Sequence, residues 1–194
     1  MSEFIVVIPA RFASERLPGK PLRDILGKPM IAHVCDRGRE SSAAEVIVAT
    51  DDQRIAAAAE AFDVTVCMTG NQHRSGTERI AEVADIMDWD DATIVVNLQG
   101  DEPAMPPALI DQCADLLTNS DADIATLASP LRSLDDYRNP NVVKVVVNEH
   151  DDALYFSRAP IPFVRNKALE DLALSTALHH HGSVSYTHLR AHET

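Results

Sequence analysis

The chain is poor in glycine, in aromatic residues and in basic residues. Seven glycines and 5% aromatic residues occur among 194 positions, and 17 lysines and arginines stand against 30 aspartates and glutamates. The formal charge of −13 argues against a nucleic-acid or membrane surface, because such surfaces are basic. Any polyanionic ligand must therefore meet a local cluster of cations.

Long apolar runs and patterned cysteines are also missing. No stretch approaches the ~20 apolar residues of a membrane span, and no charged-then-apolar leader opens the sequence. Cys35, Cys67 and Cys113 lie in apolar runs without disulfide or metal-site spacing, which predicts buried thiols in a reducing cytoplasm. The length predicts one domain.

The last eleven residues, 184–194, resemble the translation of a sequencing-library adaptor. We therefore expect a domain over residues 1–183 that is incomplete at its C-terminus, followed by residues that are not native.

Apolar, β-branched runs alternate with helical patterns at least four times. The predicted strands are residues 4–8, where Pro9 ends the run, 46–49, 64–67 and 93–98, with further candidates at 123–127, 142–147 and 154–156. The predicted helices begin at residue 29 and cover 55–62, 77–87 and 106–117, with residues 50–52 as a start signal. Continuous apolar strands are typical of a parallel sheet buried on both faces. The sequence predicts an open, mostly parallel α/β sheet with Rossmann-like winding and helices on both faces, which binds ligands beyond the carboxyl ends of its strands.

The loop after the first predicted strand carries three cations within ten residues, Arg11, Arg16 and Lys20. Three cations can hold the roughly four negative charges of a nucleoside triphosphate, and Gly19 lets the backbone approach the phosphates. The residues alone leave a solvated basic loop equally open. The spacing matches neither a Walker motif nor a Gly-x-Gly-x-x-Gly turn, which argues against kinases and dehydrogenases.

Polar residues follow the other predicted strands. Asp101, after Gly100, is expected at the ligand edge of the sheet, where a single carboxylate beside phosphate oxygens suits Mg²⁺; a simple turn is the alternative. Ser75 and Thr77 begin a helix, where they can serve as its N-cap, as ligand contacts, or as both. Arg79 in the same first turn opposes the helix dipole, which predicts an anion placed beside it.

Two cations lie near the C-terminal strand candidates. Arg158 precedes a stiff Ala-Pro-Ile-Pro turn, and its planar guanidinium suits a ligand carboxylate or an internal ion pair. Lys144 interrupts an apolar strand, so we expect it to reach an edge or an acidic partner. The histidines at 179–181 cannot converge on one metal ion from an extended segment.

Six segments together resemble the sugar-acid cytidylyltransferases, and within that family the enzymes that act on 3-deoxy-manno-octulosonate. They are residues 9–22 (PARFASERLPGKPL), 50–52 (TDD), 75–79 (SGTER), 97–103 (NLQGDEP), 139–145 (NPNVVKV) and 155–162 (YFSRAPIP). The resemblance covers about residues 4–183 in order.

The resemblance implies a fold of the nucleotide-diphospho-sugar transferase type. It implies cytoplasmic transfer of a cytidylyl group from CTP to a 3-deoxy-octulosonic acid, for lipopolysaccharide synthesis. Arg11, Lys20 and Asp101 are the implied catalytic residues, with Asp101 as a ligand of Mg²⁺. The implied nucleotide contacts are Ala10, Arg11, Arg16, Lys20, Thr50, Asp51, Ser75, Gly76, Thr77, Arg79 and Gln99. The implied substrate contacts are Gln99, Tyr155 and Arg158.

The resemblance also implies homodimers, and a further segment that carries a second metal-binding aspartate. We therefore expect weak or absent turnover from this chain. Two other hypotheses stay open: a nucleotide-binding fragment without activity, and a related acceptor such as 8-amino-octulosonate or sialic acid. A nucleotidyltransferase for another base is disfavoured, because no Gly-x-Gly-Thr-Arg opening is present.

Overall fold

The structure is a computed structural model that describes residues 3–13, 17–163, 179–181 and 188–190. The chain divides into two units, residues 1–125 with 185–194, and residues 126–184. No helix among the described residues is both long and apolar enough to cross a membrane. The predicted domain over residues 1–183 and the non-native tail stay predictions.

Several strands are short β-branched runs, and amphipathic or alanine-rich runs form the helices. The strands are β1 (Phe4–Ala10), β2 (Asp24–Ile25), β3 (Lys28–Pro29), β4 (Glu45–Thr50), β5 (Thr65–Met68), β6 (Ile94–Asn97), β7 (Ala128–Pro130), β8 (Lys144–Val147), β9 (Ala153–Ser157), β10 (His179–His181) and β11 (His188–Arg190). The α-helices are α1 (Met30–Arg39), α2 (Gln53–Glu60), α3 (Gly76–Ile86), α4 (Pro107–Thr118) and α5 (Leu134–Arg138).

The first unit is built on a five-stranded sheet in the order β11-β6-β1-β4-β5. β6, β1, β4 and β5 are parallel neighbours, and β11 runs antiparallel to β6. The predicted parallel α/β sheet is confirmed. Because parallel strands end at one edge of a sheet, the loops after β1, β4 and β6 lie side by side.

Helices cover both faces of this sheet, because alternate strand residues point to opposite sides. On one face, Val7 of β1 packs with Ile80 and its neighbours in α3. On the other, Gly38 of α1 approaches β4 so closely that an added Cβ would lie 3.2 Å from the methyl groups of Val46. The predicted helices on both faces are confirmed.

The predicted end of β1 at Pro9 is wrong, because β1 continues to Ala10. The pairing of β1 with β6 ends at Val7, and Pro9 pairs only with Ala49 of β4. Proline lacks a backbone N–H and is tolerated where a strand has a neighbour on one side only. β1 therefore behaves as an edge strand at this end.

Side-chain caps fix the starts of two helices. The Asp52 carboxylate accepts a hydrogen bond from the N–H of Arg54 at the start of α2, and the Ser75 hydroxyl accepts one from the N–H of Glu78 in α3. Each cap satisfies a backbone donor that has no partner within its helix. The predicted start signal at residues 50–52 and the N-cap at Ser75 are confirmed.

The strand predicted at residues 123–127 is absent, and a short strand follows it instead at Ala128–Pro130. The apolar run spans the division between the two units, which falls after Ala125, and Ile124 is half exposed. Apolar content alone does not detect such a division.

The three cysteines are buried and free, as predicted. Burial raises the pKa of Cys35 and of Cys113 to about 12. These thiols are small core residues in the first unit.

The second unit contains an antiparallel sheet in the order β7-β10-β8-β9. The histidines of 179–181 form β10, and His181 packs edge-on against Phe156 of β9, with ring centroids 5.2 Å apart. Burial lowers the pKa of His181, and the adjacent His180 lowers it further. The segments predicted as strands near 142–147 and 154–156 therefore form one sheet.

Lys144 corrects a prediction, because among the described residues it reaches neither an edge nor an acidic partner. Its side chain is fully buried, and Nζ donates to the carbonyl oxygens of Asn139, Val142 and Arg158 at 2.9, 2.6 and 2.7 Å. Burial, and to a lesser extent the charge of Arg158, lowers the pKa of Lys144. Three carbonyl dipoles thus replace a counter-ion.

Candidate functional site

A cavity of about 240 Å³ lies in the first unit, at the carboxyl ends of its parallel strands. Eight predicted site residues line it: Ala10, Arg11, Lys20, Ser75, Gly76, Arg79, Gln99 and Asp101. Pro9, Pro21, His73 and Gly100 line it as well. The structure thus brings together three segments whose roles were predicted separately: the loop after β1, the loop after β6 and the start of α3.

The loop after β1 contributes both described cations of the predicted phosphate site. Arg11 follows the last residue of β1 and is exposed, and Lys20 opens a short 3-10 turn over Lys20–Leu22. Both side chains face the cavity. Arg16, the third predicted cation, lies outside the described residues.

Lys20 and Asp101 form an ion pair at the cavity wall. Lys20 Nζ lies 2.6 Å from Asp101 Oδ2, and the side chains are 34% and 49% exposed. Because surface ion pairs contribute little to stability, both groups remain available to a bound ligand. The pair joins the residue predicted to bind phosphate to the one predicted to bind metal.

Main-chain atoms form part of the cavity wall, because two glycines approach Pro9 closely. A Cβ on Gly76 would lie 3.0 Å from Pro9 Cγ, and a Cβ on Gly100 would lie 3.0 Å from the Pro9 carbonyl oxygen. A side chain at Gly76 would push the start of α3 away from β1, and a side chain at Gly100 would push the loop after β6 away from β1. Two of the seven glycines are therefore placed where the cavity requires them.

Two side chains beside these glycines are oriented by hydrogen bonds. Gln99 Nε2 donates to Asn97 Oδ1 at 3.0 Å, so the buried Asn97 fixes the Gln99 amide. Ser75 caps α3, and this N-terminus with its partial positive charge faces the cavity. Thr77 lies in the first turn of α3 and does not line the cavity.

The anion expected beside Arg79 belongs to the protein itself. Arg79 is 4% exposed, its Nη2 lies 3.0 Å from Asp51 Oδ1, and its Nη1 donates to the Thr69 hydroxyl. Asp51 Oδ1 is buried without a hydrogen-bond partner among the described residues, so the attraction is ionic. Thr50 is also buried and accepts from the Asp52 N–H at 3.2 Å, which holds the turn after β4.

The sequence analysis missed His73 and its partner Glu82. His73 lines the cavity, and its Nε2 is hydrogen-bonded to Glu82 Oε2. Glu82 also accepts from the Gly70 N–H at 2.8 Å. The hydrogen bond from His73 lowers the pKa of Glu82, with smaller contributions from Gly70 and the charge of Arg79. The available signal was a histidine two residues before the Ser75 cap.

The predicted substrate contacts Tyr155 and Arg158 belong to the second unit. Tyr155 is 63% exposed on β9. Arg158 is exposed, and its Nη1 donates to the Pro140 carbonyl at 3.0 Å. Their contact with a substrate stays a prediction.

The described residues contain no group of three or more histidine, cysteine, aspartate or glutamate side chains placed to hold a metal ion. Asp101 instead offers one partly exposed carboxylate in the cavity wall. Mg²⁺ commonly binds to one or two carboxylates together with substrate phosphates and water. The donor set therefore fits Mg²⁺ bound jointly with a phosphorylated ligand.

An open parallel sheet with a cation-lined cavity at its carboxyl edge defines an α/β protein of the nucleotide-binding type. The chain belongs to the cytidylyltransferase family, whose sequence model matches residues 5–190.

Curated relatives from Tolumonas auensis and Hahella chejuensis are both named 3-deoxy-manno-octulosonate cytidylyltransferase. They are 56% identical over 163 residues and 58% identical over 167 residues. The matches cover 84% and 86% of this chain and 64% and 66% of the relatives, so the chain spans just under two thirds of their length. A solved structure described as CMP:2-keto-3-deoxy-manno-octonic acid synthetase complexed with CTP is 43% identical, with a TM-score of 0.86, and the match covers 97% of this chain and 75% of that one.

Proposed function

We propose that the chain binds CTP in the cavity and transfers its cytidylyl group to 3-deoxy-manno-octulosonate, giving the CMP-sugar and pyrophosphate. The observation that carries the proposal is the convergence of Arg11, Lys20 and Asp101 on one cavity. The names of the relatives that match most of this chain support the choice of CTP and of the sugar acid.

In this reaction the anomeric hydroxyl oxygen of the sugar attacks the α-phosphorus of CTP. The bond between the α-phosphorus and the oxygen that it shares with the β-phosphorus breaks, and pyrophosphate leaves. The proton of the attacking hydroxyl group passes to water. Arg11 and Lys20 hold the phosphates and offset the negative charge that develops on them. The catalytic contribution of the chain is chiefly positioning and charge stabilisation.

Asp101 is proposed to hold Mg²⁺, because its carboxylate faces the cavity beside the cation that would bind phosphate. When bound, Mg²⁺ neutralises phosphate charge and stabilises the leaving pyrophosphate. Binding of Mg²⁺ to Asp101 requires Lys20 to release Asp101 and to contact the phosphates of the nucleotide instead.

The contacts proposed for the cytidine follow the lining of the cavity, and those proposed for the sugar acid follow the family resemblance. The start of α3 at Ser75 and Gly76, together with the oriented Gln99 amide, is proposed to bind the cytidine. Tyr155 and Arg158 are proposed to bind the sugar acid, since a guanidinium pairs well with a carboxylate.

The wider setting follows from the same reaction. We propose that it takes place in the cytoplasm and supplies lipopolysaccharide synthesis. Homodimer formation is a further proposal, and light scattering coupled to size-exclusion chromatography tests it.

Calorimetry and a pyrophosphate-release assay test the function. We expect CTP to bind more tightly than UTP or GTP in the presence of Mg²⁺, and 3-deoxy-manno-octulosonate to release pyrophosphate faster than 8-amino-octulosonate or sialic acid. Arg16→Ala should weaken CTP binding, whereas Arg37→Ala on the exposed face of α1 should not.

The outcomes separate the hypotheses. Binding of CTP without pyrophosphate release from any acceptor supports a nucleotide-binding fragment and overturns the transfer reaction. Faster release with another sugar acid reassigns the acceptor. Absence of CTP binding overturns the proposed function as a whole.

A further inference from the structure

The guanidinium of Arg54 stacks on the ring of Phe12, which lies in the loop after β1. Arg54 Cζ is 3.4 Å from the ring centroid. The same guanidinium is held in two places by Asp52, with Nε 3.0 Å from Oδ1 and Nη2 2.6 Å from Oδ2. The plane that Phe12 contacts is therefore fixed to the start of α2.

Phe12 in turn closes the loop that carries the cavity cations. Its carbonyl accepts a hydrogen bond from the Gly19 N–H at 2.9 Å. Its ring lies so close to Gly19 that an added Cβ would be 2.9 Å from a ring carbon. Gly19 has a φ of 68°, a conformation that glycine adopts without strain. Lys20, which pairs with Asp101, follows directly.

We propose that Arg54 is a positioning residue of the nucleotide site. Its stack on Phe12 holds the loop closed at Gly19, so that Lys20 and Arg11 face the cavity before the nucleotide arrives. The inference rests on the proposed function, because the loop is held in place for a nucleotide.

Two observations distinguish this positioning role from two simpler roles, attraction of phosphate by charge and initiation of α2. Asp52 neutralises the charge of Arg54 at close range, so long-range attraction of phosphate by Arg54 is weak. Asp52 already caps α2 through the Arg54 N–H, so the Arg54 side chain is not needed to start the helix. Its guanidinium carbon lies over the Phe12 ring, and a planar guanidinium can stack flat on an aromatic ring, which an ammonium cannot do.

The test measures the loop and the ligand separately, on the full chain. Hydrogen exchange of the Gly19 amide reports loop closure without nucleotide, and calorimetry with CTP and Mg²⁺ reports affinity. The variants are Arg54→Ala, Arg54→Lys, Phe12→Leu and Phe12→Tyr, with Arg37→Ala as a control that breaks an exposed ion pair elsewhere on the unit. Thermal unfolding of each variant monitors the fold.

We expect faster Gly19 exchange and roughly two- to fivefold weaker CTP binding in Arg54→Ala and Phe12→Leu, the size of an exposed cation–π contact. Arg54→Lys should resemble Arg54→Ala, because lysine keeps the charge but lacks the plane. Phe12→Tyr keeps the ring and should resemble the parent chain, as should Arg37→Ala.

Other results overturn the inference. Unchanged Gly19 exchange in Arg54→Ala and Phe12→Leu shows that the stack does not hold the loop. Wild-type affinity in Arg54→Lys shows that charge alone is sufficient. If Arg54→Ala fails to fold, Phe12→Leu leaves α2 intact and decides the matter. If the parent chain does not bind CTP, the proposed function fails, whereas exchange at Gly19 still reports whether the stack closes the loop.

Discussion

The Lys20 ammonium and the Asp101 carboxylate neutralise each other across the cavity, with Nζ 2.6 Å from Oδ2. Each group is proposed to bind a different partner, phosphate for Lys20 and Mg²⁺ for Asp101. Binding of nucleotide together with Mg²⁺ therefore exchanges one ion pair for two. The charges of this part of the cavity wall are therefore balanced within the protein itself.

The exchange predicts different effects for variants of the two residues. Lys20→Met should weaken CTP binding by about 1.5–3 kcal/mol, on the order of 10- to 100-fold in Kd, the size of a hydrogen bond to a charged group. Asp101→Asn should remove the gain in affinity that Mg²⁺ provides. It should not weaken metal-free CTP binding, because Lys20 is then free for phosphate.

Calorimetry with and without Mg²⁺ measures both effects. Arg23→Met removes an exposed charge that does not line the cavity and is the matched control. A metal-dependent gain that persists in Asp101→Asn would remove Asp101 from the metal site.

Because Arg79 contacts Asp51, substitutions of the two residues should have strongly non-additive effects on the free energy of unfolding. Removing one partner of a buried ion pair leaves the other charge uncompensated, so Arg79→Met and Asp51→Asn should each cost about 2–4 kcal/mol, allowing for the partial exposure of Asp51. The double variant should lose less than the sum. Urea unfolding measures the free energies, and strict additivity would contradict the coupling.

Glu82 predicts a pH dependence of stability that begins below the ordinary pKa of a glutamate. The hydrogen bond from His73 lowers the pKa of Glu82 from its usual 4.5. Between the lowered and the ordinary value the unfolded chain binds more protons, so stability falls as the pH falls. Above the ordinary pKa the contribution is complete.

We therefore expect Glu82→Gln to lose stability at neutral pH and to show a shallower loss than the parent chain below about pH 4.5. Urea midpoints from pH 7 to pH 3.5 are the measurement. Glu60→Gln, on an exposed position of α2, is the control. If the stabilities of the parent chain and of Glu82→Gln fall in parallel as the pH is lowered, the contact of Glu82 with His73 does not cause the loss of stability at low pH.

Replacement of Lys144 should lower stability strongly, although the replacement also removes a buried charge that is unfavourable by itself. In Lys144→Met three backbone carbonyls lose their donor, and the variant should be destabilised by about 2–4 kcal/mol. Urea unfolding is again the measurement, and Arg132→Met, at an exposed position of the same unit, is the control. A stability equal to that of the parent chain would show that the hydrogen bonds only offset the burial of the charge.

The sequence predicted the elements that local chemistry determines. β1, β4 and β6 are rich in valine and isoleucine, and side-chain caps at Asp52 and Ser75 mark α2 and α3. The hairpin of β2 and β3 escaped prediction because each strand has two residues and its turn places Leu26 at a φ of 54°, which leucine gives no reason to expect.

The candidate site was predictable as a set of segments but not as a set of contacts. Motif order placed Arg11, Lys20 and Asp101 at one edge of the sheet. Each ion pair joins two different elements of structure, so nothing local indicated that Asp51 would balance Arg79 or that Glu82 would hold His73. Lys144 was misjudged for a different reason, since its partners are backbone carbonyls, which carry no sequence signature.

The sheet order has a consequence for the timing of folding. β6 pairs with β1 although more than half of the first unit lies between them, and Lys20 and Asp101 are 81 residues apart in the sequence. Contacts of such long range form slowly. During synthesis, β1, β4 and β5 can associate while the ribosome still holds β6. The two walls of the cavity can meet only after Asp101 has left the exit tunnel, by which point most of the buried residues of the first unit have already been synthesised.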